Sequence, residues 1–445
     1  MATRLTQSMT SGGSTTKFTK SIWVKRTGLT QAYLVDSQDD EVAIQFRDDY
    51  KLNVFIWNGS SYSTELVSNQ LFRDVNAWYH IVWAVDYTNA TQAHRARVYV
   101  NGEEITSWAT ETRPGNTTTT FNTYNSSITH YIGNNAGANK PFYGIMSHVI
   151  HVDGAQLAPT EFGETDSTTG EWKIKTSPSV TYGTEGYFIL KDGNSVTNQA
   201  GNSAGNFSVG GGTLTKTEDN PSNVFATLNT LDKAIIGTQP TLANGNTKWT
   251  ASGNSSSNCA VRGTIGASSG KYYFETKLLE ATQTMVGVHL SDVYPWYDSD
   301  GYLGNNSGFY GIYSNGSDNL YAVVAGSNQS TNLGSVTNND ILGCAFDFDN
   351  NKYYFSKNGS WLNSGDPTSG STGTGSFGTL ASGLYIPAIS NVSYNISSSA
   401  VLNFGNGYFG TTAVSSAGTN ASGIGIFEYD VPTGYTALST KGLNL

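Results

Sequence analysis

The chain has 445 residues, a net charge of −10 and only 13% charged residues, about half the share usual in soluble proteins. With no Lys/Arg cluster to offer a phosphate-binding face, nucleic acid is not an expected partner, and the low charge disfavours long exposed helices, which draw on Glu, Lys, Arg and Ala. Fifty glycines and 12% aromatics, in a background of Asn, Ser and Thr, suit many short strands joined by polar turns.

Taken in chain order, the polar opening "MATRLTQSMTSGG" predicts no Sec-type leader and reads as a tether over residues 1–14. Strands follow in "TKSIWVKRT", "QAYLVDS", "EVAIQFRDD" and "KLNVFIWNGS", each stopped by Asp, Asn or Gly. "NAWYHIVWAVDY" is nearly continuous in apolar residues from Trp78 to Val85, as for a strand covered on both faces. "RVYVNGEEI" places Asn101-Gly102 between two short strands, the signature of a two-residue type I′ hairpin. "TEFGETD" suggests one helical turn capped by Thr160, and Tyr187 to Leu190 a strand returning to the first sandwich.

A Gly/Asn/Ser-rich stretch then leads to a boundary placed at residue 230, so that residues 15–230 and 231–445 form two domains. The second half supplies "KYYFETKLL", "TMVGVHLSD", "GFYGIYSNG", "LYAVVAG", "DILGCAFDFD", "NKYYFSKNG", "LYIPAIS" and "SAVLNFGNG". It repeats the hairpin device at Asn358-Gly359. No 3.6-residue apolar period is sustained, and turn signals recur every 8–12 residues or so. The expected fold class is all-β, with two antiparallel β-sandwiches in tandem.

Several motifs give way to plainer readings. "GNGYFG", Gly405 to Gly410, satisfies G-x-G-x-x-G but is followed by a turn-like stretch instead of a helix. Asp347, Asp349 and Asn351 start like a calcium loop, yet Lys352 stands where the loop needs Gly and Asn358 where it needs Glu. His148 and His151 are three apart on a strand, hence on opposite faces, and cannot share a metal. His80, His94, His130 and His289 are scattered. Glycoside hydrolysis needs two carboxylates across the bond; Glu41, Asp48 and Asp49 are spaced wrongly for this, and adjacent Glu103 and Glu104 diverge. No enzyme activity is expected. Asn-x-Ser/Thr triplets, including Asn58, Asn89, Asn125 and Asn391, arise from composition. Cys259 and Cys344 read as buried residues; whether they pair is open.

The strongest recognition stretch is "YPWYDSDGYLGNN", which packs Tyr294, Trp296, Tyr297, Asp298, Asp300 and Tyr302 into a loop between strands. Aromatic rings stack on the apolar faces of sugars, and carboxylates accept from hydroxyls. "WNGSSYSTE" and "GNNAGANKPFY" are comparable loops in the first half.

"SIWVKR", "WYHIVWAVD", "RVYVNGEEI" and "YGIMSHVIHVDG" together resemble the concanavalin A-like, laminin-G-type lectin/glucanase fold over residues 15–200 or so. "GKYYFE", "VGVHLSD", "GFYGIYSNG", "AFDFDNNKYYFSKNGSW", "YIPAIS" and "LNFGN" resemble a SPRY domain over about residues 240–445. More narrowly, "VDGAQLAPTEFGETDSTTGEWKIK", "TYGTEGYFIL", "NPSNVFATLN" and "FEYDVPTGYTALSTKGLNL" resemble bacteriophage virion proteins. The resemblance implies a protein on the virion surface, made in the bacterial host cytoplasm, that contacts other virion proteins. It implies a homo-oligomer, such as a trimer, in a tail fibre or appendage that binds a bacterial surface glycan or protein; the lack of a Lys/Arg cluster and of an apolar run near 18 residues speaks against nucleic acid and membrane insertion. A capsid decoration or capsid-fibre protein is the alternative, and a carbohydrate-active enzyme a second one. Laminin-G relatives also bind calcium through loop groups; Asp36, Asp39 and Asp40 are what this sequence offers for it.

Overall fold

The computed structural model describes residues 3–10, 12–38, 41–115, 120–121, 128–234, 239–252, 259–293, 303–305, 307–391 and 396–445. The chain divides into two compact units, Met1–Lys216 with Asn220–Ser222, and Thr217–Asp219 with Asn223–Leu445. The division falls ahead of the expected boundary at 230. Phe225 is buried with Tyr273 and Phe427, and Leu228–Lys233 pairs with Val261–Gly263, so residues 223–230 belong to the second unit.

The first unit is an antiparallel sandwich. Its eight-stranded sheet runs Trp108–Thr112, Tyr62–Leu71, Lys51–Trp57, Val42–Phe46, Ala32–Ser37, Thr129–Ile132, Leu5–Ser8, Ser208–Val209. Its six-stranded sheet runs Tyr187–Ile189, Gly144–Asp153, Lys17–Arg26, Trp78–Asp86, Ala96–Val100, Glu103–Glu104. Alternate residues of both sheets meet in a core that includes Phe18, Ile22, Ile44, Val54, Leu66 and Trp83. Phe18 and Trp83 pack edge to face at 5.0 Å. The expected tether is a strand: Leu5 and Met9 are buried apolar anchors, and Leu5–Ser8 pairs on both sides. Spaced two residues apart, Leu5, Gln7 and Met9 give that segment a strand's alternation despite its polar composition.

Trp78–Asp86 is covered on both faces because the chain folds back over the outside of its sheet. There Val82, Ala84, Tyr99, Ile150 and Phe188 pack against Ala155, Leu157, Val180 and Tyr182. The helical turn expected with a Thr160 cap is a 3-10 turn, Pro159–Glu161, whose N-cap is Ala158 without a side-chain bond. Pro159 fixes φ at the first position, which makes Thr160 an interior residue instead of the cap.

The second unit pairs a seven-stranded antiparallel sheet with an eight-stranded one that is antiparallel except for Thr436–Ala437, which pairs in parallel with Lys271–Glu280. Trp249, Phe274, Phe346, Phe355, Ile389 and Leu402 fill its core. Cys259 and Cys344 are fully buried thiols and do not form a disulfide with each other. A C-terminal stretch covers the outer face of the eight-stranded sheet, setting Phe427, Val431 and Tyr435 on Tyr273, Ala345 and Tyr354. Gly405 of "GNGYFG" serves this packing: a Cβ on it (φ +114°) would lie 2.6 Å from the Phe225 ring.

Candidate functional site

The eight-stranded sheet of the first unit carries an aromatic group on the face turned away from its core. Val54, Ile56, Ile44 and Leu66 point inward, so the residues between them point outward. Register then sets two outward rows: Thr112, Glu65, Phe55 and Ala43 in one, and Thr110, Val67, Asn53, Gln45 and Tyr33 in the other. Trp57 and Tyr62 continue the aromatic edge beside them.

Tyr62 is the hub of that edge. Its ring lies 5.4 Å from Phe55 and 4.8 Å from Trp57, both edge to face. Phe55 and Tyr33 are buried, Trp57 is half-buried, and Tyr62 is 41% exposed. Cross-strand pairing fixes these rings, because a one-residue slip would turn them into the core.

Among them lies Asn53, 3% exposed, whose Oδ1 has no hydrogen-bond partner among the described residues. An unmet buried acceptor costs about 1–3 kcal/mol, so its retention calls for an explanation. Its neighbour Gln45 accepts from Gln31 Nε2 at 2.9 Å. At the surface the group offers the exposed edge of Tyr62, the half-buried Trp57 ring and the Glu65 carboxylate. Such a surface suits a ligand with apolar faces and hydroxyl donors.

Elsewhere, acid and base groups are committed to the scaffold. Ser21 Oγ lies 2.8 Å from His80 Nε2, the spacing of a nucleophile and its base, but Trp172 Nε1 donates to His80 Nδ1 at 2.9 Å. A neutral imidazole accepting at Nδ1 carries its proton on Nε2, so His80 donates to Ser21 and cannot take its proton. Burial pushes the His80 pKa down to about 3, which keeps the ring neutral. Glu104 is paired with Arg97. Asp347 accepts from Asn350 and bridges Lys271 at 3.0 Å, and Asp349 accepts from Gly270 N. Asp36 is fully buried and accepts from Ala136 N at 2.8 Å, while Asp39 and Asp40 lie outside the described residues. No cluster of three metal-ligating side chains occurs among the described residues. His148 and His151 do face opposite ways: His148 packs on Phe188 outside the sheet, His151 on Phe18 within.

Residues 4–161 match the model of the concanavalin A-like lectin/glucanases superfamily, and residues 271–391 match that of the SPRY domain. The chain is a concanavalin A-like domain followed by a SPRY domain. Among solved structures it is similar to the PSpry domain of TRIM65, at 16% identity over 40% of this chain and 91% of that one, with a TM-score of 0.31. It is also similar to the SPRY domain of human HERC1 (17%, 39% and 96%, TM-score 0.29). A third is a heptameric SAP-like pentraxin from Limulus polyphemus (18%, 35% and 71%, TM-score 0.27). No curated protein sequence matches the chain.

In the SPRY domain, the recognition loop expected from sequence, Tyr294, Trp296, Tyr297, Asp298, Asp300 and Tyr302, lies outside the described residues. Leu303, which follows them in sequence, is fully buried against Met285, Phe309 and Val323. In the concanavalin A-like domain the sequence points to the loop "WNGSSYSTE", and Trp57 and Tyr62 stand at its two ends. Phe55, Asn53 and Tyr33 read in sequence only as strand residues. Their alternation with Val54 and Ile56 is the available signal that they share an outward face.

Proposed function

We propose that this chain is a non-enzymatic binding protein whose concanavalin A-like domain holds a glycan against Trp57 and Tyr62. The carrying observation is the aromatic edge: Tyr62, 41% exposed, is held edge to face against Phe55 and Trp57 by cross-strand register. A sugar ring stacked on that edge presents axial C–H groups to the aromatics and hydroxyl donors to the Glu65 carboxylate. The SPRY loop around Trp296 and Tyr297 is the second contact region in this reading, chosen from its composition.

The wider setting rests on the phage-like phrases of the sequence. In it the protein stands on a virion surface as part of a tail fibre or appendage, is made in the bacterial cytoplasm, and touches other virion proteins. It attaches to a host-surface glycan or protein, and copies assembled as a homo-oligomer multiply weak contacts through avidity. No nucleic-acid or membrane-inserting role is part of it.

Two experiments test this. A glycan array probed with the whole chain should give hits that Trp57→Ala abolishes; an array with no hits, or hits indifferent to Trp57 and Tyr62 substitution, sinks the glycan reading. Immunogold labelling of particles should mark tails. Label spread over the head would favour capsid decoration, and polysaccharide turnover would revive an enzyme.

A further inference from the structure

The chain contains six Asn-Gly pairs, beginning at Asn58, Asn101, Asn244, Asn315, Asn358 and Asn406. Asn before Gly is chemically labile, because no side chain shields the following backbone nitrogen from the amide carbon. What differs among the six is how firmly the fold holds that amide.

Five are restrained through Oδ1. Asn101 accepts from His80 N at 2.8 Å, and Asn358 from Ile341 N at 2.9 Å. Asn58 accepts from Ser61 N at 2.9 Å, and Asn315 from Ser317 N at 2.9 Å. Asn406, 8% exposed, accepts from Phe404 N and donates to Tyr408 O. Each bond must break before the amide carbon can swing onto the next nitrogen.

Asn244 is exposed, and its side chain makes no hydrogen bond among the described residues. Its Nδ2 lies against Gly410, where a Cβ would approach within 2.8 Å. Asn244, Gly245 and Asn246 all have positive φ, at 52°, 68° and 62°, so two non-glycine residues are strained in one turn. The turn joins Lys248–Ala251 to Thr241–Ala243, a three-residue strand at the open edge of the sheet. Strain, exposure and a short edge strand together make this turn easy to open locally.

We propose that Asn244 is a site of spontaneous deamidation in the folded protein. The Gly245 backbone nitrogen attacks Asn244 Cγ, the C–N bond to the side-chain amide breaks, and ammonia leaves carrying the proton lost by Gly245. Water then opens the resulting cyclic imide at either carbonyl, giving aspartate or isoaspartate. The net change is one water consumed, one ammonia released and one negative charge added. Isoaspartate also lengthens the backbone at the head of the hairpin, whose second strand carries fully buried Trp249.

The test is peptide mapping by mass spectrometry of the full chain, aged at mildly alkaline pH with and without denaturant. In the native chain the peptide with Asn244 converts severalfold faster than the other five, and in denaturant all six approach one rate. An Asn244→Gln chain loses that product and leaves the others unchanged. Native conversion at Asn244 no faster than at the other five overturns the proposal. So does a rate advantage that survives undiminished in denaturant, which would trace it to local sequence instead of the fold.

Discussion

The Trp172 ring fills the space where Gly102 would carry a side chain: a Cβ there would lie 2.6 Å from ring carbons Cε3 and Cζ3. The SPRY domain repeats the relationship, with Tyr429 2.7 Å from a Cβ on Gly359. Both glycines follow an Asn with φ of 49°, and each Asn exchanges two backbone-linked bonds with the neighbouring strand, Asn101 with His80 and Asn358 with Ile341. The Asn-Gly hairpin therefore does more than reverse the chain. Its bare glycine seats an aromatic from a later segment that folds back over the outer face of a sheet.

Gly102→Ala and Gly359→Ala should each destabilise their own domain by about 3 kcal/mol, the sum of a positive-φ penalty and a steric clash. Gly59→Ala is the control. Its φ is +89° but nothing lies within 4 Å of the added carbon, so about 1 kcal/mol is expected. Denaturant unfolding of the three variants checks this, and equal losses would show that the aromatic seat adds nothing.

His80 predicts acid sensitivity of the concanavalin A-like domain. Its folded-state pKa, about 3, is below the ordinary 6.5, so the folded state resists the proton that the unfolded chain accepts. The associated stability is complete above pH 6.5 and is lost as pH falls through the window from 6.5 toward 3. His148, pushed by burial to about 4, acts in the same direction. Between pH 6.5 and 4 the loss from His80 alone should be about 3 kcal/mol. Hydrogen exchange in peptides from Trp78–Asp86 should quicken over that range, and His80→Phe should flatten the response.

Glu275 fastens the C-terminal covering segment of the SPRY domain. Its Oε2 accepts from Glu428 N and its Oε1 from Tyr429 N, both at 2.9 Å, with Tyr273 Oη and Asn403 Nδ2 donating as well. Burial raises its pKa to about 7 while these donors pull the other way. Glu275→Gln keeps the shape but turns an N–H toward a backbone N–H, leaving donors opposed. A loss of about 2–3 kcal/mol is expected, with faster hydrogen exchange over residues 424–437. Unchanged exchange there would remove Glu275 as the fastener.

Much of this is legible in the sequence wherever a local pattern decides the outcome. Alternation places Lys17–Arg26 and Lys271–Glu280, and Asn-Gly places both hairpins. Polar spellings hide other strands: "LTQS" and "TLA" have too few apolar positions to show a period, and pairing partners make them strands. The covering segments are also hidden. Nothing near Trp172 in sequence announces a glycine 70 residues earlier, because the fit is steric and long-range. The outward aromatic face is half legible: Trp57 and Tyr62 flank a loop that composition marks, whereas Asn53 matters only through a missing bond.

Which domain carries the ligand is decided by comparing two aromatic pairs. Tyr62 is 41% exposed but packs edge to face on Phe55 and Trp57, so Tyr62→Ala should cost about 1–2 kcal/mol of stability and leave the domain folded. Aromatic anchors at binding sites cost about 2 kcal/mol or more when truncated, roughly a 30-fold loss of affinity. For a glycan found on the array, calorimetry should show that loss with Trp57→Ala or Tyr62→Ala. Trp296→Ala with Tyr297→Ala should leave the same affinity intact. The reverse pattern would move the site to the SPRY loop. Loss in both would mean that each domain contributes, and the two affinities measured separately would then give the weight of each.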